Sequence, residues 1–389
     1  MTNRSRRRKL LLAAVGLATL AFVVVGCGPD NGQNSLQPKG TEAEKIDNLF
    51  WPILIVAVLI GIFIFAAVVY CAIRFRRRAG NERPKQIHGN TALEIGWTLI
   101  PAVILAVIAV PTVSLIFELN EDPAPSALEV TAVGKQWWWQ FDYPATKGST
   151  KVVTANELHV PTGREISIDL VACDTSLGGT PEAPGCNVIH SFWVPELNGK
   201  RDVVPGHTNH TSFTIDKPGT YLGQCAEYCG LSHANMRFRV IAQSPDDFEE
   251  WLAGQQDGPA VSPEEAGFPA PGESDTDEDD AGTLFSTTFQ CTNCHTTEDS
   301  SISTYGPNLT HLASRTVFAS GSFKLNRANL IDWILNAPGM IPMQSEDCRL
   351  PPPATCVGMP SFTENTPKGY PVMTRQQAEI LADYLLSLK

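Results

Sequence analysis

The segment Cys225-Ala226-Glu227-Tyr228-Cys229-Gly230-Leu231-Ser232-His233-Ala234-Asn235-Met236 crowds two thiols, an imidazole and a thioether into one short run. Thiolate and thioether are soft donors that select copper over harder ions, and a His/Cys/Met loop at the end of a β-sandwich is how blue-copper sites are built. Here two cysteines stand where one would serve. Two thiolates this close in sequence can both bridge a pair of metal ions, and each ion then needs a further imidazole. His233 supplies one. His190, in Asn187-Val188-Ile189-His190-Ser191-Phe192, lies upstream in a strand-like stretch and is the candidate for the other. Two blander readings compete: a disulfide between the cysteines, or a zinc site. The first leaves His233 and Met236 without a role, and the second lacks another cysteine pair nearby.

A second chemical motif, Cys291-Thr292-Asn293-Cys294-His295, has the pattern of covalent haem c attachment. Two thiols one helical turn apart add to the porphyrin vinyl groups, and the adjacent imidazole binds the iron. Five residues can match by chance, but these open a stretch of about one hundred residues, a normal domain size, that ends in an amphipathic helix.

The elements that must hold these groups are legible in the pattern of apolar residues. Leu49 to Ile73 and Ile95 to Phe117 carry no charge. Each is long enough to cross a hydrocarbon core of about 30 Å as a helix. Pro101 and Pro111 lie inside the second run and are tolerated in membrane helices, where neighbours re-satisfy the freed carbonyls. Arg74, Arg76, Arg77, Arg78, Arg83 and Lys85 fill the connection, which places it in the cytoplasm and both outer ends of the hairpin outside. From about 123 to 245 the texture turns to β. Leu128 to Val133 and Glu165 to Val171 alternate with period two, which predicts an antiparallel sandwich or barrel. Residues 254–282 are rich in Pro, Gly, Asp and Glu and read as a flexible tether. Residues 283–389 read as helical. Their last helix begins with a Thr374/Gln377 capping box and continues in a stripe of Ala378, Leu381, Tyr384, Leu385 and Leu388.

Composition agrees with an exported, multidomain chain. The net charge is −12, yet basic residues crowd the first 85 positions and none lies between Arg239 and Arg315. That segregation argues against nucleic-acid binding by the soluble part and suits a basic protein partner. Arg4, Arg6, Arg7, Arg8 and Lys9 precede an uncharged run that ends at Val24-Val25-Gly26-Cys27, so 1–26 reads as an export signal. It resembles a lipoprotein signal, which implies lipid attachment at Cys27. Cys173 with Cys186, and Cys348 with Cys356, bracket short loops and have the look of disulfide clips in an oxidising compartment. Cys71, inside an apolar run, reads as an inert packed thiol. There is no phosphate-binding Walker loop and no dinucleotide-binding glycine pattern.

Taken together, the two-helix anchor, His190-Ser191-Phe192-Trp193 and the Cys225 to Met236 loop resemble subunit II of cytochrome c oxidases over residues 45–243. The resemblance implies a cupredoxin-like sandwich in which His190, Cys225, Cys229, His233 and Met236 hold a binuclear copper centre, CuA, with Glu227 adding its backbone carbonyl. It implies that the Glu227 carboxylate reaches a magnesium ion shared with subunit I. Gly134-Lys135-Gln136-Trp137-Trp138-Trp139-Gln140-Phe141 matches the family's aromatic segment, so Trp137 is expected to be the port for electrons, although a strand tryptophan is more often core. Glu94 resembles the acid at the mouth of a proton channel, though a carboxylate there could simply face water.

Residues 283–389 resemble an all-α class I cytochrome c, as in a caa-type oxidase. There Pro307, in Gly306-Pro307-Asn308-Leu309, would orient His295, and Met359, in Gly358-Met359-Pro360, would be the sixth iron ligand, with Met343 the runner-up. These expectations describe an electron-admitting subunit fed by a cytochrome c-type donor or respiratory complex. It would relay electrons through its own haem c and CuA to subunit I, where dioxygen is reduced and protons are pumped. Two other classes compete: a nitrous-oxide reductase, and a free-standing copper redox lipoprotein.

Overall fold

A computed structural model describes residues 32–76, 88–145, 151–172, 188–256, 280–297, 305–343, 357–363 and 371–389. The export signal, Cys27, both proposed disulfide pairs and most of the acidic tether lie outside the described residues.

Two long helices open the described chain: α1 (Thr41–Arg74, 34 residues) and α2 (Thr91–Glu118, 28 residues). At about 1.5 Å per residue, each is longer than a hydrocarbon core is thick. Both overrun the uncharged stretches that announced them, because apolar residues mark the part in contact with lipid and not the ends of the helical backbone. The extra turns of α1 are used for packing. Glu42 and Ala43 are buried, the Glu42 carboxylate accepts from Thr211 and from the Gly199 N–H at 3.4 Å, and Thr41 Oγ1 accepts from the Thr214 N–H at 3.0 Å. The anchor is thereby bolted to the β domain. At the other end Asn90 caps α2, accepting from the Ala92 and Leu93 N–H groups. Pro52, Pro101 and Pro111 all lie within helix. Large apolar side chains such as Phe63, Phe65, Val110 and Phe117 point outward with nothing in the chain to cover them.

Ten strands follow: β1 (Leu128–Lys135), β2 (Trp138–Tyr143), β3 (Val152–Ala155), β4 (Glu157–Pro161), β5 (Glu165–Val171), β6 (His190–Trp193), β7 (Arg201–Val203), β8 (Asn209–Thr214), β9 (Gly219–Cys225) and β10 (Arg237–Gln243). They form two five-stranded sheets, ordered β3-β2-β1-β5-β8 and β4-β10-β9-β6-β7. The antiparallel expectation needs correction, because each sheet contains one parallel pair: β1 with β5, and β4 with β10. Alternation reports which face of a strand is buried and is silent on the direction of its neighbour. The core is aromatic. Trp139, Phe141, Phe192, Phe213 and Phe238 are all buried, with Phe192 and Phe238 stacked at 4.7 Å and Trp139 edge-on to Phe192 at 5.6 Å.

After β10 comes α3 (Pro245–Gln256), so the tether begins later than its composition suggested. Ser244 Oγ accepts from the Asp247 N–H at 3.2 Å at the start of this helix. Phe248 is buried and Trp251 lies flat on His159, with ring centroids 4.1 Å apart. Two aromatic anchors suffice to fold a segment whose average hydropathy looks like linker. At the tether's other end Asp280 caps α4 (Ala281–Thr283), which runs on through a wider π-turn, Leu284–Thr288.

The C-terminal unit is small and mostly helical, with α5 (Arg327–Met340), kinked at Asn336, packed on α6 (Arg375–Ser387). A two-stranded ladder, β11 (Val317–Phe318) with β12 (Phe323–Lys324), departs from the all-α expectation. Its core, built from Leu284, Phe285, Phe289, Leu330, Ile334, Leu381 and Tyr384, is separate from that of the sandwich. The predicted capping box is present: Thr374 Oγ1 accepts from the Gln377 N–H at 3.2 Å, and Gln377 Oε1 accepts from the Thr374 N–H at 3.0 Å. Thr374→Ala is therefore expected to destabilise this unit by about 1 kcal/mol, read as faster amide exchange along α6 with the sandwich unaffected.

Candidate metal centre and the adjoining cavity

His190 opens β6, Cys225 closes β9, and the pairing of Phe192 with Cys225 brings the two strands' ends together. The loop from Ala226 to Met236 folds back over that end and returns into β10. It gathers the donors into one buried cluster. The Cys225 and Cys229 sulfurs are 3.8 Å apart and unbridged. One imidazole faces each sulfur: His190 Nδ1 lies 3.8 Å from Cys225 Sγ, and His233 Nδ1 lies 3.6 Å from Cys229 Sγ. Met236 Sδ lies 3.7 Å from Cys229 Sγ, and the Glu227 carbonyl oxygen lies 3.1 Å from Cys225 Sγ. Six sequence-predicted residues thus converge.

The spacing fits metal. A first-row ion binds thiolate at roughly 2.3 Å and imidazole at roughly 2.0 Å, so donors sharing one ion lie within about 4.3 to 4.6 Å of each other. Every sulfur–sulfur and sulfur–nitrogen distance here meets that bound. Protonation tells the same story. Hydrogen bonding from the Cys229 thiol holds Cys225 far below the usual thiol range, at about 3, while that bond and burial push Cys229 strongly up. The pair gives up one proton readily and the second only to a cation that replaces it.

The ring of His190 is fixed by packing. It is fully buried, its Nε2 has no hydrogen-bond partner, and it lies against the backbone of Gly134. A Cβ at Gly134 would sit 2.9 Å from the His190 Cδ2. Gly134→Ala should therefore tilt the imidazole and weaken copper binding about 10-fold or more, measurable by competitive chelation, while the sandwich stays folded.

Trp137 lies in the β1–β2 turn and not in a strand, yet it is buried at 6% exposure. Its Nε1–H donates to the Cys229 carbonyl at 2.9 Å, and Gln136 Nε2 donates to the same oxygen at 2.7 Å. The indole is hydrogen-bonded directly to a cluster cysteine. Gln136 and Gly134 were both inside the aromatic segment that stood out in the sequence, but a side-chain amide and a bare backbone carry no chemical label there. Glu227 is half-buried, with Oε1 accepting from the Tyr228 N–H at 3.1 Å. Glu94 stands apart, exposed in the first turn of α2 at the end remote from the sandwich.

Beside Trp137 and Trp138 a cavity opens between the sandwich and the C-terminal unit, and Cys291, Cys294, His295, Pro307, Met343 and Met359 line it. Burial pushes Cys291 up to about 12 and Cys294 to about 11, so both are neutral thiols. Burial also holds His295 below its usual range. Its Nδ1–H donates to the Pro307 carbonyl at 2.9 Å, which fixes the tautomer and leaves the Nε2 lone pair free to bind a metal. A Cβ at Gly306 would meet the same ring at 2.6 Å, so glycine is required there too. An apolar cavity with two adjacent thiols, an oriented imidazole and two thioethers suits a covalently held haem.

A pair of membrane-length helices, a two-sheet sandwich on their outer ends and a buried cluster of two cysteines and two histidines define a membrane-anchored redox protein of cupredoxin type. Family comparison carries this further. The profile for the transmembrane domain of cytochrome c oxidase subunit II matches residues 29–115, and that for its periplasmic domain matches residues 128–243. The cytochrome c oxidase subunit 2 of Alkalihalophilus pseudofirmus is 34% identical over 96% of this chain and 96% of its own length. That of Bacillus subtilis is 30% identical over 84% of this chain and 88% of its own. The quinol oxidase subunit 2 of a Bacillus cereus strain is 31% identical over 64% of this chain and 82% of its own.

The chain belongs to the cytochrome c oxidase subunit II family. It is a membrane protein with its β domain on the outer face, an electron-admitting subunit of a haem–copper oxidase that pairs with subunit I. The nitrous-oxide reductase and free-standing lipoprotein readings give way to that assignment.

Proposed function

We propose that this subunit takes electrons from a cytochrome c-type donor through a haem of its own and passes them through a binuclear copper centre to subunit I, where dioxygen is reduced and protons are pumped. The observation that carries the reading is the pair of unbridged sulfurs 3.8 Å apart, each faced by its own imidazole. His190, Cys225, Cys229, His233 and Met236 would hold the copper pair, with the Glu227 carbonyl as a further donor, and Cys291, Cys294 and His295 would hold the haem. Bound there, the two groups supply one-electron carriage at a fixed separation, which tethering makes independent of diffusion.

The remaining residues orient and insulate. Gly134 and the buried wall of Trp139 fix His190, Trp137 and Gln136 pin the Cys229 carbonyl, and Pro307 pins His295. Rigid, dry surroundings of this kind keep the ligand geometry unchanged between oxidation states. Trp137 lies between the sulfur cluster and the haem-type cavity, which supports its role as the port for electrons. The filled ligand set favours a cytochrome c donor over a quinol. The Glu227 carboxylate is assigned to a magnesium ion shared with subunit I, and Glu94 to the mouth of a proton path. A lipid anchor at Cys27 completes the reading.

Electron paramagnetic resonance on the purified, copper-loaded oxidase tests it. One unpaired electron shared between two copper nuclei is the expected signal, and the spectrum of a single isolated copper would refute the binuclear assignment. For the haem, colour that stays with this chain after denaturing electrophoresis is expected, and its loss on denaturation would overturn covalent attachment.

A further inference from the structure

The C-terminal unit is seated on the sandwich through two polar contacts, and one of them turns on a buried acid that neither the copper cluster nor the haem motif uses. Glu157 opens β4 and is 2% exposed. Its Oε1 accepts three hydrogen bonds from the C-terminal unit: from Thr316 Oγ1 at 2.5 Å, the Thr316 N–H at 3.0 Å and the Val317 N–H at 3.2 Å. Those two amides stand at the start of β11, so the carboxylate caps the edge of the small ladder from outside. Arg239 of β10 also reaches Thr316 Oγ1, at 3.5 Å. The second contact lies at the electron port, where Ser320 Oγ donates to the Trp137 carbonyl and Ser232 Oγ, from the copper loop, donates to the Pro342 carbonyl. Met343 packs against the sandwich core close by.

We propose that Glu157 is a latch: it holds the C-terminal unit over Trp137, so that the port is closed to outside proteins and admits electrons only from that unit. The geometry argues for an anchor and not an incidental contact. A carboxylate taken out of water must be compensated by hydrogen bonds or charge, and on the C-terminal side all the donors to this one come from across the interface. The contacts at Trp137 are single hydroxyl-to-carbonyl bonds, weak alone, and they need a rigid neighbour to keep them in register.

The charge of Glu157 is held in place by its surroundings. Burial pushes the carboxyl up, but hydrogen bonds from His159 and from Thr316 outweigh it and leave the group below its ordinary range. The charged groups facing it are His159, at 3.9 Å on its own strand, and Arg315 on the C-terminal unit, itself pushed down to about 10 by burial while the Glu157 charge opposes that fall. Because the folded-state value is depressed, the contribution of Glu157 is fully present above the ordinary carboxylate range and is lost as the pH falls through the depressed value.

Amide exchange and steady-state kinetics on the assembled oxidase test the latch together. In Glu157→Ala the Thr316 and Val317 amides should exchange at least about tenfold faster than in the wild type, while amides of α6 and of β9 keep their protection. Thr316→Val, a change on the exposed side of the interface, should loosen the Val317 amide in the same direction without touching either core. With a small soluble cytochrome c as donor, kcat should fall several-fold in Glu157→Ala with KM nearly unchanged, because the donor still meets an intact C-terminal surface and only the onward step has lost its geometry. Unchanged exchange at Thr316 and Val317 in both variants would overturn the latch, as would free exchange there with kcat at the wild-type value. The kinetic arm rests on the relay proposed above and the exchange arm does not. Absence of covalent haem from the wild-type chain would therefore remove the relay while the amide result still decides the contact.

Discussion

Cys225→Ser is expected to leave a folded, membrane-inserted chain that no longer holds a copper pair, with oxidase turnover down by about 100-fold or more. The sandwich should survive, because its core is the aromatic stack of Trp139, Phe192 and Phe238 and the cysteine sits at the edge of that stack. The metal should not. Cys225 is the cysteine nearer His190, it receives the Cys229 S–H, and it lies against the Glu227 carbonyl. A serine hydroxyl is a harder donor that stays protonated near neutral pH, so it neither bridges two soft ions nor carries the negative charge that offsets theirs. Copper counted per chain by metal analysis should fall from two to at most one. Two coppers retained with normal turnover would show that the bridging role is misassigned.

The second large effect separates two methionines. Met359→Leu is expected to convert the haem from a six-coordinate, low-spin spectrum to a five-coordinate, high-spin one and to lower its potential on the order of 0.1 V, since the thioether ligand is what raises it. Met343→Leu should leave both nearly untouched. Both sulfurs line the same cavity, but they belong to different bodies. Met359 packs with the core of the C-terminal unit, as His295 does through its Pro307 partner, whereas Met343 packs against the core of the sandwich. An iron ligand drawn from the unit that holds the other ligand keeps its position through any movement between the two. High-spin haem in Met343→Leu and not in Met359→Leu would reverse the assignment.

Much of this protein is local in sequence. The five donors from Cys225 to Met236 fall in one loop, the haem motif is contiguous, and the two spans are uninterrupted apolar runs. Chemistry that depends on neighbours in the chain is legible without a fold, as is the capping box of α6, where Thr374 and Gln377 are one turn apart. The same locality misled at the tether, because Phe248 and Trp251 are scarce in an otherwise polar stretch and their value depends on β4 and His159 being underneath.

The sequence by itself determined the inventory: soft donors for copper, thiols and an imidazole for haem, a two-helix anchor and a β domain, since residue type and short-range period are what those features consist of. Only the tertiary structure decided which groups meet. The register of β6 on β9 sets His190 beside Cys225, the bare backbone of Gly134 makes room for its ring, and two parallel strand pairs replace the antiparallel pattern that alternation suggested. The seating of the C-terminal unit on Glu157 and Trp137 is likewise a matter of contacts between residues 159 and 183 positions apart. Such contacts form where two surfaces are complementary in shape and in unpaired donors and acceptors, and no periodicity along the chain records that complementarity.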